Sequence, residues 1–126
     1  MKLKPIHWGI VVLVLITAVL HLGAAFDRIL FPEGTPDPLF LLNGLGYLGL
    51  LGAYFLPIPF FQSKHKLVWW VLFIYVIVTI FAWLLIWVGI NVLGNGMPFF
   101  SHDSVYGVPA KIVEVVLLFV LWRDKP

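Results

Sequence analysis

Residues Leu67–Leu93 read LVWWVLFIYVIVTIFAWLLIWVGINVL, and no charged side chain interrupts them. An α-helix rises about 1.5 Å per residue, so about 20 residues cross a hydrocarbon core of roughly 30 Å. This run is longer than that, and a helix built from it must tilt or project beyond the hydrocarbon. Gly94-Asn95-Gly96-Met97-Pro98 breaks it.

Three further segments repeat the pattern on either side. Ile6–Phe26 is apolar apart from His7, Thr17 and His21. Pro38–Leu56 opens with a proline suited to a first helical turn behind a capping Asp37, and closes on Pro57-Ile58-Pro59. The last runs from about Val105 to Trp122, with Pro109 in its early turns, and Arg123-Asp124-Lys125 stops it. Between the first two, Asp27–Asp37 carries two prolines, a glycine and four charges, which call for water. Gln62–Lys66 reads as a short polar connector. The expectation is an all-α integral membrane protein with four transmembrane helices, at about 6–26, 38–56, 67–93 and 105–122, in one antiparallel bundle covering residues 1–126.

Composition agrees. The chain is 62% hydrophobic and 11% charged, with a mean hydropathy of +1.04, whereas a soluble domain has about 45–50% apolar and roughly 25% charged residues. So small a chain cannot bury that much apolar surface, and the excess must face lipid or other protein. Its eight Lys and Arg are scattered near helix ends and form no nucleic-acid-binding patch. Cysteine is absent, which removes thiolate metal sites, disulfides and c-type haem attachment. Lys2 and Lys4 before an apolar run ending in Gly23-Ala24-Ala25 resemble a signal peptide, but the segment is read as a retained helix.

Orientation follows from the basic residues. Lys2, Lys4, Lys64, Lys66, Arg123 and Lys125 fall on one side, while the other has only Arg28 against Asp27, Glu33, Asp37 and Asp103. The positive-inside rule puts both termini in the cytoplasm, as in a multi-pass protein of the plasma (inner) membrane. Trp8, Trp69, Trp70 and Trp122 fall at that same predicted inner interface. The aromatic residues of the third helix, Trp87 among them, are read mainly as lipid contacts.

The strongest chemical clue is Lys111 with Glu114, three residues apart on one helical face within a span. Alternating helix directions bring His21, Asn43 and Tyr47 into the same outer half, and a cluster of these five side chains is expected there. Its simplest role is a lock on helix register, and contact with a proton, quinone or other ligand is the alternative. A second arrangement concerns haem. His7 and His21 are separated by thirteen residues, a spacing that resembles that of cytochrome b helices, with His65 and His102 as possible partner ligands although both read as loop residues.

Gly44-Leu45-Gly46-Tyr47-Leu48-Gly49 formally matches a dinucleotide fingerprint, but no strand precedes it and the segment lies in hydrocarbon. Gly46, Gly49, Gly52 and Ala53 instead form a small-residue stripe for helix packing. No nucleophile with a base, metal-ligand spacing or phosphate loop is present, so a non-enzymatic chain is expected, a redox role through a bound cofactor aside. The leading expectation is a small accessory subunit of a multisubunit membrane complex, of the electron-transfer or proton-translocating kind. It would contact lipid and other membrane subunits, in a hetero-complex or a homo-oligomer. Two alternatives are a homo-oligomeric channel or carrier using Lys111 and Glu114, and a protein binding haem b or quinone.

Overall fold

A computed structural model describes residues 3–27, 33–85 and 104–126 of the chain. Among these, the elements are α1 (Pro5–Ala25), α2 (Pro38–Phe55), a short α3 (Pro59–Ser63), α4 (His65–Trp83) and α5 (Ser104–Arg123), with no strand. Four of them, α1, α2, α4 and α5, are long and apolar enough to cross a membrane.

Proline sets several boundaries. Pro5, Pro38 and Pro59 each stand in a first turn, where a missing N–H costs nothing. Asp37 caps α2, its Oδ2 accepting from Phe40 N–H at 3.1 Å, and its own N–H donates to Ala25 O at 3.0 Å, tying the start of α2 to the end of α1. The α2 helix stops at Phe55 because Leu56, ahead of Pro57, is pushed to extended dihedrals (φ −66°, ψ 141°).

The connector differs from the sequence expectation. Pro59–Ser63 is helical, only Lys64 breaks the path, and His65 is already the first residue of α4. At the other end of α4, Leu84 keeps helical dihedrals. The stretch expected to carry this helix on to Leu93, with Trp87, lies partly outside the described residues.

The four long helices form a ring in which α1 packs against α2 and α5, and α4 against the same two, so that α2 and α5 are diagonal, as are α1 and α4. Buried residues recur every three or four positions: Ile10, Val14, Thr17 and Ala18 on α1, Trp69, Leu72, Val76 and Thr79 on α4, and Ala110, Glu114, Leu117 and Leu121 on α5. That spacing is one face of a helix. The half of the bundle next to the chain ends is filled by Ile10, Val14, Trp69, Leu72, Val76, Leu117 and Leu121, all fully buried. Trp69 turns into this core and is fully buried; it stacks on Phe73 (4.9 Å, 12°) and donates its Nε1–H to Leu121 O at 2.9 Å. Large apolar side chains cover the outside, where an ordinary soluble surface would be mixed.

Candidate functional site

Each long helix contributes polar groups to a layer starting near mid-length. Tyr47 lies nine residues past Pro38 in an 18-residue helix, and Glu114 ten past Ser104 in a 20-residue helix. Both are 0% exposed, and the Tyr47 hydroxyl donates to Glu114 Oε2 at 2.7 Å. The other carboxylate oxygen accepts from Lys111 Nζ at 2.5 Å. Lys111 and Glu114 are thus an ion pair along α5, and the lysine head also faces the Trp83 ring (5.8 Å). A carboxylate desolvated this far is tolerable in the bundle because both oxygens receive donors.

Asn43 and His21 join this centre less directly. The Tyr75 hydroxyl donates to Asn43 O (2.7 Å) and lies 3.1 Å from its Oδ1, while the Tyr75 ring meets Tyr47 edge-on at 4.8 Å. His21 packs its ring 5.7 Å from Tyr47. Its Nδ1–H donates to Thr17 O at 2.7 Å, one turn back on α1, so in the neutral ring Nε2 is the acceptor. His21 and Lys111, with Trp83, Tyr106, Phe40 and Ala110, line a hollow of about 20 Å³ at the end of the bundle away from the chain termini. That is room for about one water.

The expected cluster therefore spans more depth than one outer level. Tyr47 and Glu114 hold the middle, and Lys111 and His21 reach outward from it. Residues of α4 that sequence reasoning left aside complete the layer: Tyr75, and Thr79, whose Oγ1 donates to Tyr75 O at 2.8 Å. Their signal was present as two hydroxyl side chains, four residues apart, in an otherwise apolar and aromatic segment.

A second polar cluster, not foreseen, closes the end near the chain termini. Asp124 receives the Tyr54 hydroxyl on Oδ2 and the His7 Nε2–H on Oδ1 (3.2 Å), while His7 Nδ1 accepts from Lys4 N–H at 3.0 Å. Tyr54 also packs edge-on against His65 (4.6 Å). The half of the bundle next to the chain termini thus carries polar side chains of its own, and Asp124 is more than a helix stop. Both ring nitrogens of His7 are occupied by groups of the chain, so as folded it offers no lone pair to a haem iron. His65, read as a loop residue, starts a helix; His102 lies outside the described residues. Among the described residues, no group of three or more His, Asp or Glu is placed to hold a metal ion.

Close helix approach falls at Gly46, a member of the stripe, and at Gly44 outside it. A Cβ on Gly44 would meet Leu22 at 2.8 Å and Ala18 O at 3.1 Å, across α1, and one on Gly46 would collide with the Tyr75 hydroxyl. Gly49 has nothing within 4 Å, and Gly52 meets only Leu56 of the same segment. Ala53 is half-buried against the core.

Fold and site define a class, a four-helix bundle of membrane-spanning character with an internally paired polar layer. No protein-family model matches the chain, and no curated protein or solved structure matches it either.

Proposed function

We propose that this chain is a non-catalytic accessory subunit that packs against another membrane protein through the outer face of α2. The observation that carries the reading is the stripe Leu42, Leu45, Gly49, Gly52 and Leu56, alternating three- and four-residue steps along α2. Its leucines are exposed, and among the described residues a Cβ built on Gly49 at its centre meets nothing within 4 Å beyond its own helix. Glycine in a helix interior sacrifices about 1 kcal/mol relative to alanine, and a notch flanked by leucines lets a second transmembrane helix approach closely. In the same reading, the basic residues put the chain ends in the cytoplasm and the bundle in a plasma (inner) membrane.

A channel or carrier needs a polar route from face to face. Glu114 is saturated by its own chain, and the apolar layer from Ile10 to Leu121 stands between it and the chain termini, so the static lock is the better supported role for the polar layer. The test is gentle extraction from the native membrane. Wild-type protein should migrate with a partner whose mass distinguishes a second copy from a different chain, and Gly49→Leu should migrate alone with unchanged helical content. Wild-type protein that migrates as a free monomer rejects the proposal.

A further inference from the structure

Lys125 lies two residues past the end of α5, and its ammonium group is held over two indoles, 4.5 Å from the Trp122 ring centre and 5.5 Å from that of Trp70. Both rings are turned outward, Trp122 54% and Trp70 38% exposed, because the neighbouring Trp69 is anchored inward on Leu121. Lys66 precedes Trp70 by four residues, which puts both on one face of α4. Down the same edge, Phe73 lies 6.2 Å from Trp70 and 6.0 Å from Trp122, and the exposed Ile74 and Phe119 continue the apolar surface.

The charge here has no internal answer. Asp124, the one carboxylate side chain in the segment, is committed on both oxygens to His7 and Tyr54. Among the described residues, Lys66, Arg123 and Lys125 make no salt bridge, although all three are exposed. Tryptophans flanked by unpaired ammonium groups at the end of an apolar bundle match the depth at which phospholipid phosphates sit. A cation fixed over indole faces is also pre-organised to receive an anion.

We propose that the α4/α5 edge is a binding site for an anionic phospholipid. The headgroup phosphate lies between Lys66 and Lys125, and an acyl chain runs along Trp70, Phe73 and Ile74. A zwitterionic lipid brings its own ammonium to the same place and gains less from two lysines, which makes the site selective for net negative charge. This site is independent of whatever covers α2.

The experiment is native mass spectrometry of delipidated full-length protein titrated with equal amounts of phosphatidylglycerol and phosphatidylcholine. Phosphatidylglycerol adducts should dominate, and the preference should fall roughly fivefold for each lysine removed in Lys66→Gln and Lys125→Gln. Lys66→Arg with Lys125→Arg should keep it. Equal retention of the two lipids, or an unchanged preference in the double Gln variant with normal helical content, overturns the proposal. Displacement of the lipid by glycerol phosphate at matched concentration also overturns it, since the headgroup alone would then suffice.

Discussion

Tyr47 and Glu114 sit on diagonally opposed helices and meet in the centre of the bundle through a 2.7 Å hydrogen bond. This bond bridges the centre that the ring of neighbouring contacts leaves open. Because Glu114 is paired with Lys111 on its other oxygen, one carboxylate fixes both the rotation of α5 and the depth of α2.

Glu114→Gln keeps the shape but leaves Lys111 as an unbalanced charge inside the bundle. Breaking one partner of a buried pair costs about 3–5 kcal/mol, whereas replacing both is often nearly neutral. Thermal or denaturant unfolding in detergent should therefore show Glu114→Gln strongly destabilised, with much of the loss regained in the Glu114→Gln, Lys111→Met double variant. A double variant no more stable than the single one refutes the pairing.

Tyr47→Phe removes only the hydroxyl. Interhelical hydrogen bonds in membranes average about 0.6 kcal/mol and reach about 1.7 kcal/mol, and one to a buried carboxylate belongs near the upper end. A double-mutant cycle with Glu114→Gln measures it directly, and a coupling energy near zero would remove the bond from the account.

Gly46→Ala drives a methyl group into the Tyr75 hydroxyl, which is itself bonded to Asn43. Overpacking of this kind costs about 1–3 kcal/mol. Gly49→Ala meets nothing within 4 Å among the described residues beyond its own helix, so the monomer should be unchanged or slightly more stable. Unfolding midpoints that rank the two substitutions the other way would contradict the helix packing.

Asp124→Ala takes away the acceptor shared by His7 and Tyr54, and with it the link among α1, α2 and the end of α5. The expected loss is about 1–3 kcal/mol for donors left without a partner. Amide hydrogen exchange should rise in the last turn of α5 and the first turn of α1 while the middle of the bundle stays protected. Uniformly unchanged exchange would show that Asp124 has no structural role.

The spans were legible because a spanning helix must satisfy its backbone bonds within itself and cover them with apolar side chains, both local properties. Proline and Asp37 marked where helices begin and end for the same reason. What stood in a short connector was harder: Pro59–Ser63 is too brief for a periodic signal, and so His65 was read as loop.

The candidate site was legible only in part. Lys111 and Glu114 stand out in any apolar run, but Tyr75 and Asp124 do not, since each gains its meaning from a partner far away in sequence. Glycine shows the same division. The stripe on α2 is visible as letters, yet which of its members meets a neighbour depends on rotation about the helix axis.

The sequence by itself determined four apolar segments and the asymmetry of basic charge, because transfer to lipid acts on consecutive residues. Only the tertiary structure decided that α2 lies diagonal to α5, that Trp69 turns inward while Trp70 turns outward, and that Asp124 closes one end of the bundle. Those outcomes rest on side-chain packing between helices, where a rotation of one residue, about 100°, exchanges a buried contact for a lipid-facing one.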